Sequence, residues 1–337
     1  MKGRQFMRKL INEPDRFVDE VIDAILLAHP DQLRSASSDN RAIVRSGPLD
    51  GRVGIVTGGG SGHLPLFLGY VGVGLCSGVG VGNVFSSPSP QQVFEATKAV
   101  DAGRGVLHLF GNYGGDVMNF ALAADLAEME GITVMTAIGR DDVMSAPREK
   151  ATTRRGVAGM IFAYKCAGAA AERGDDLAAV TRIANAAIAA TGTAGVGLSP
   201  TILPAAGKPT FTLPDGEMEI GIGIHGEPGQ HRGPLESADQ VTDRLVGAVA
   251  DDLNLRSGDR VVLMVNGLGA TPLEELYLLF GRTHQRLSEM GVSIHRSWVG
   301  EYATSLEMAG ASISAMKLDD ELTELFDAPA SSPFFRQ

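Results

Sequence analysis

The sequence predicts an α/β protein of two domains, each a mixed β-sheet flanked by helices. Three observations carry that prediction. Over the first half of the chain, short apolar runs that end in glycine clusters alternate with helical stretches. A second series of strand-like runs begins after residue 192. The 337 residues also leave room for two domains of ordinary size. The division is placed so that residues 1–192 hold the glycine-rich loops and residues 193–337 form the C-terminal α/β part.

The elements are justified in order. Phe17, Val18, Val21, Ile22, Ile25 and Leu26 recur at helical spacing, so the first forty residues read as a helix and a loop. Val53–Thr57 is a short apolar strand running into Gly58-Gly59-Gly60-Ser61-Gly62-His63. Leu66–Phe85 has twenty residues without a formal charge, long enough to span a bilayer, but its six glycines favour buried loops and short strands. Gly105–Phe110 is a second strand, ending in Gly111-Asn112-Tyr113-Gly114-Gly115-Asp116. A helix from about Val117 to Met129 follows, then a third strand over Thr133–Ile138. From Val157 to Ala190 the chain is alanine-rich and helical, broken at Glu172-Arg173-Gly174-Asp175.

In the second part, Ile220, Ile222 and Ile224 alternate with Glu219, Gly221, Gly223 and His225. That period of two predicts a strand over Glu217–Gly226 with the isoleucines on a core face and His225 on the other. Arg260–Val265 is another strand, leading through Asn266-Gly267-Leu268-Gly269 to Thr271-Pro272-Leu273-Glu274, which has the form of a capping box at a helix start. The last ten residues read as an extended segment.

Composition narrows the functional classes. A formal charge of −11 disfavours non-specific binding to nucleic acid or anionic membrane. Cys76 and Cys166 are too few for a disulfide framework or a zinc cage, and their apolar neighbours predict buried free thiols. Lys2, Arg4, Arg8 and Lys9 are not followed by the apolar run of a secretory signal, so the expected location is the cytoplasm.

Three titratable residues stand at glycine-rich turns. The glycines of Gly58–His63 could let backbone N–H groups approach a ligand oxygen, or could form a tight structural turn. His63 beside such donors can hold or protonate an oxygen. Asp116 could accept the proton of an attacking hydroxyl, or serve as the N-cap of a helix starting at Val117. His225, with Gly223 and Gly226 leaving room over its ring, is either functional or a structural histidine. His231, His284 and His295 read as surface residues, and no ligand pair has the short spacing of a metal motif, so no metal is expected.

Taken together, five segments occur in one order: Gly58–His63, Asn112-Tyr113-Gly114-Gly115-Asp116, Pro204-Ala205-Ala206-Gly207-Lys208-Pro209, Gly221–Gly229, and Asn266–Pro272. The series resembles the K domain of dihydroxyacetone kinases over nearly the whole chain. The resemblance implies a ketose pocket near the junction of the two domains. His225 matches the histidine that attacks the substrate carbonyl carbon and holds it as a hemiaminal. His63 matches the residue that hydrogen-bonds the substrate and assists that addition, and Asp116 the carboxylate that contacts the hydroxyl to be phosphorylated. Gly60, Ser61, Gly62 and Gly111 line the same pocket.

Two positions depart from the family pattern. Gly111 stands where members that handle dihydroxyacetone carry lysine, and Leu64 where the pattern has glutamate. Loss of the lysine is expected to open volume for another carbon, and so to admit a larger ketose such as erythrulose. The resemblance also implies a homodimer and a separate all-helical L subunit that carries ATP or ADP with magnesium, so no cofactor is expected on this chain. The phosphodonor is either ATP or a phosphotransferase-system protein. The alternative from another class is a ligand-sensing co-regulator that binds the ketose without phosphorylating it. A third reading is a stand-alone nucleotide-binding enzyme that uses the Asn266–Thr271 loop.

Overall fold

The computed structural model describes residues 9–337, so Lys2, Arg4 and Arg8 lie outside it. A first six-stranded sheet has β1 (Leu33–Ser35), β2 (Ala42–Arg45), β3 (Gly54–Ser61), β4 (Gly78–Val84), β5 (Val106–Gly111) and β6 (Val134–Gly139), ordered β1-β2-β4-β3-β5-β6. β3 to β6 run parallel, and β1 and β2 form an antiparallel edge. The second sheet uses β7 (Thr191–Ser199). After a small hairpin of β8 (Ile202–Leu203) and β9 (Lys208–Pro209) it continues through β10 (Glu217–Ile220), β11 (His231–Pro234), β12 (Arg260–Gly267), β13 (Ser293–Gly300) and β14 (Ala309–Lys317). Its order is β11-β10-β7-β14-β12-β13, antiparallel except for β12 beside β13. Both sheets are mixed, as the sequence predicts.

Among the described residues eight α-helices pack on these sheets: α1 (Phe17–Ala28), α2 (Pro90–Val100), α3 (Gly114–Met129), α4 (Met160–Arg173), α5 (Leu177–Ala189), α6 (Ala238–Leu253), α7 (Leu273–Glu289) and α8 (Asp320–Asp327). α2 and α3 close one face of the first sheet through Val93, Phe94, Phe120 and Ala123 against Val56, Val106 and Phe110. α6 and α7 close the outer face of the second sheet in the same way. Between the sheets lies α4, buried from Met160 to Ala171. It shares one core with Ile55 and Leu107 of the first sheet and Val262 and Met264 of the second. A helix buried on every side must be apolar and small all round, which explains the Ala-rich stretch. The one charge in its buried stretch, Lys165, donates from Nζ to the carbonyls of Leu325 and Ala328 at the end of α8. Both cysteines are buried free thiols, and no helix among the described residues is long and apolar enough to cross a membrane.

Three expected details change. The glycine cluster Gly58–Gly60 continues β3 instead of forming an open loop. The strand expected over Glu217–Gly226 stops at Ile220, because Gly221 turns the chain at φ +81°. Ile222 and Ile224 still point into the core, so burial outlasts the strand that the alternation seemed to describe. The expected capping box at Thr271 is absent. α7 starts after Pro272, and Thr271 Oγ1 instead donates to Gly310 O (2.6 Å) and accepts from Gly310 N (2.8 Å).

Candidate functional site

β3 delivers His63, and its glycines are there for packing. A Cβ on Gly59 would stand 2.3 Å from the Phe67 ring, and one on Gly60 would stand 2.6 Å from the backbone of Phe85 and Ser86. Only glycine lets the strand nest this closely against the 85–86 turn. That approach lays Phe85 on His63, with ring centroids 4.7 Å apart and 24° between planes.

The His63 turn is pinned from the second sheet. Leu306 N donates to Gly62 O (2.8 Å), Thr304 N to His63 O (3.2 Å) and Thr304 Oγ1 to Leu64 O (2.9 Å). His63 Nδ1 lies 2.7 Å from Thr304 O; a carbonyl can only accept, so Nδ1 carries the proton. Nε2 is then a bare acceptor, buried and without a partner. Burial, with His225 alongside, pushes the ring down to about 3, so it stays neutral. Asn266 supports the pinning loop. Its side chain donates to Ala303 O (2.8 Å) and accepts from Tyr302 N and Ala303 N. Beyond it, a Cβ on Gly269 would fall 1.7 Å from Leu306 O. The Asn266–Thr271 loop thus packs its backbone closely on the 303–310 segment, a structural role for its glycine at 269.

His225 sits in the turn after β10, with Gly226 N donating to Gly223 O (3.0 Å). The Glu227 carboxylate accepts from His225 N (3.0 Å) and from Nδ1 (2.8 Å). That bond fixes the tautomer, so Nε2 is the nitrogen with the free lone pair. The ring meets His63 edge-on at 4.9 Å and Tyr113 edge-on at 4.9 Å, and its side chain is 23% exposed. Burial alone would raise the Glu227 carboxyl, but the His225 bond, with Arg155 beyond, holds it down at about 2. Arg155 is fixed in turn by Asp142 (2.8 Å) and Gly221 O (2.9 Å). Replacing Glu227 by Gln keeps an acceptor for Nδ1 and removes the charge. If His225 holds a ketose as the resemblance implies, affinity for it is then expected to fall about tenfold, or ~1.4 kcal/mol, with the melting temperature little changed. Calorimetric titration with dihydroxyacetone checks this.

Asp116 lies in the first turn of α3, three residues after Tyr113, so it is not the helix N-cap. Burial pushes its carboxyl up to about 6; Ser87 and the nearby His225 pull partly back. Its Oδ1 is buried without a partner. The geometry thus sets His63 against His225, with Phe85 packed on both rings and Tyr113 on His225, and brings Asp116 near enough to feel the charge of His225. Gly111 ends β5, but the expected opening beside it is absent. A Cβ there would stand 3.2 Å from Met160 Sδ and 3.3 Å from the Tyr113 ring, so neighbours already fill that direction. His231 and His284 are exposed, as expected, and His295 binds Asp327 at the surface (2.8 Å).

Glu227, Thr304, Tyr113 and Phe85 were not singled out as site residues from the sequence. For Glu227 a signal existed, an acid two residues after a histidine in a Gly-rich turn. For Thr304, 241 residues from His63, there was none.

A family model described as the Dak1 domain matches residues 23–334. The chain is 44% identical over 331 residues to "PTS-dependent dihydroxyacetone kinase 2, dihydroxyacetone-binding subunit" of Listeria innocua, covering 98% of this chain and 99% of that protein. It is 42% identical over 335 residues to the L-erythrulose kinase of Pectobacterium atrosepticum, covering 98% of this chain and 56% of that one. Among solved structures, a dihydroxyacetone kinase operon co-activator superposes with a TM-score of 0.87 at 30% identity, covering 96% of this chain and 98% of that one.

Proposed function

This chain belongs to the Dak1 domain family, and from that premise we propose that it is the ketose-binding subunit of a dihydroxyacetone-type kinase, working in the cytoplasm as a homodimer. The observation that carries the proposal is the His225 ring, held by Glu227 at 2.8 Å and set edge-on to neutral His63 at 4.9 Å. Nε2 of His225 adds to the ketose carbonyl carbon, and the carbonyl π bond opens onto oxygen. The Nδ1 proton passes towards Glu227, and the new alkoxide takes a proton from solvent, which gives a neutral hemiaminal. His63 Nε2, which has no proton to give, accepts the hydrogen bond of that hydroxyl. Asp116, ionised above about pH 6, receives the proton of the hydroxyl that attacks the phosphoryl group.

So small a ketose offers little area for binding, and a reversible covalent bond supplies affinity and orientation together. It also rejects glycerol, which has no carbonyl to attack. The phosphoryl group is taken to come from a separate L-type subunit carrying ATP or ADP with magnesium. Relay from a phosphotransferase-system protein is supported by the name of the Listeria relative. The substrate is dihydroxyacetone or a close homologue. Erythrulose is supported by the likeness to the L-erythrulose kinase and not by new room at Gly111.

Intact-mass measurement with dihydroxyacetone, erythrulose and glycerol tests the reading. A mass gain of one ketose, mapped to the His225 peptide and absent with glycerol, is expected. An unchanged mass, or an adduct elsewhere, sinks it. The second reading, a ketose-sensing co-regulator, is favoured by the match to the operon co-activator. It predicts capture without ketose phosphate when an L-type subunit and phosphodonor are supplied.

A further inference from the structure

A cleft of about 710 Å³ lies apart from the two histidines, lined by the end of α5, by β7, by the 148–154 segment and by the start of α8. Its wall carries Arg140, Arg148, Arg154 and Lys317 against the acids Asp252 and Asp319, an excess of positive charge in a chain of net charge −11. Two of the cations are already neutralised. Arg154 makes a two-pronged pair with Asp252 (2.8 and 2.7 Å), and Lys317 binds Asp259 (2.7 Å). Asp319 is occupied as the cap of α8, accepting from Leu322 N (2.7 Å). Arg140 and Arg148 have no carboxylate partner among the described residues, and Arg140 Nε is buried without an acceptor. A half-buried guanidinium with an orphaned N–H calls for an oxygen acceptor that the chain does not supply.

We propose that this cleft is a second ligand site, for a small phosphate-bearing anion, and that its occupancy tunes the ketose site. The volume suits a small metabolite, and two unpaired guanidinium forks match the several oxygens of a phosphate or diphosphate. The link to the ketose site is direct. Arg154 faces the cleft, while the next residue, Arg155, stands 3.9 Å from Glu227, the partner of His225. Asn112 Nδ2 donates to both Thr152 O (3.1 Å) and Arg154 O (2.8 Å), so the cleft wall is tied to the strand end that carries Tyr113 against His225. An anion that draws this wall inward shifts Tyr113 and Glu227 with it.

Only the coupling depends on the ketose reading; the binding does not. The test is calorimetric titration of the full chain with pyrophosphate, set beside citrate and beside sodium chloride at matched ionic strength. Pyrophosphate is expected to bind in the unmodified chain and in His225→Ala alike, and at least about tenfold more weakly in Arg140→Gln and in the exposed Arg148→Gln. Circular dichroism melts establish that the variants fold. Equal affinity in the arginine variants, or heats matched by sodium chloride, overturns the site. Equal binding of citrate overturns the phosphate assignment. Saturating pyrophosphate is further expected to change the dihydroxyacetone midpoint about fivefold or more, with the reciprocal effect on its own binding; independent midpoints overturn the tuning.

Discussion

Replacing His225 by alanine is expected to abolish the ketose mass gain and to drop dihydroxyacetone binding from about micromolar to about millimolar, some 4 kcal/mol on the affinity scale. What remains in the variant is the hydrogen bonding of a small polar molecule that already bonds well to water, and such exchanges yield little net affinity. Discrimination should collapse as well, because without an attacking nitrogen the site cannot tell a ketone from an alcohol of similar size. Parallel titrations with dihydroxyacetone and glycerol give the ratio. If the variant kept a strong preference for the ketone, some other group would be reading the carbonyl. The substitution should leave folding intact, since the ring is partly exposed and its neighbours are held by Glu227 and by the turn itself.

Asp116→Asn is expected to cut ketose phosphorylation by about 10²–10⁴-fold, the usual range for losing a positioned general base, while making the chain more stable. The folded-state pKa of about 6 lies above the ordinary value, so the folded chain holds this proton more tightly than the unfolded one. The proton favours folding at low pH, and that advantage is lost as pH rises from about 4 through about 6. Above that window the buried charge costs about 3 kcal/mol, from roughly two units at about 1.4 kcal/mol each. Asparagine avoids the cost, so urea melts should show a gain largest near pH 8 and shrinking towards pH 4. A variant that is no more stable at high pH would mean that Asp116 is better solvated than its burial indicates. A destabilising carboxylate at this position is what the proposed role of Asp116 as general base would require.

The fold class was legible because the local signals were strong. Glycine clusters marked strand ends, the break at Gly174 separated α4 from α5, and Gly174 takes φ +94° where a left-handed residue is needed. Two helices were readable and passed unread: Ser89 with Gln92 opens α2, and Ser237 with Gln240 opens α6, both as full capping boxes. The alternation through Ile224 misled because Ile222 and Ile224 stay buried in a turn, with Ile222 packed against Gly197. The site was less legible than the fold. His63, Asp116 and His225 stand at recognisable turns, but what orients the two imidazoles is distant or depends on a bend. Thr304 fixes the tautomer of His63 from the opposite sheet, and Glu227 reaches His225 only because the chain folds back at Gly226. Gly111 shows the opposite error. A missing side chain suggests space, yet Tyr113 and Met160 had already closed it.

The contacts from Thr304 and Leu306 to the His63 turn have a consequence for how the molecule can be divided. Neither half owns the histidine pair: one imidazole is contributed by the chain before the interlayer helix α4 and the other by the chain after it, and the His63 turn is held by a clasp that closes only when both layers are seated. Fragments severed between the sheets would each keep a histidine and capture nothing, and sugar affinity would return only with reassembly. Ketose capture, as proposed, would thus gauge whether the two layers are properly docked, and slippage at their buried interface would register first as lost affinity, before any loss of helix or strand.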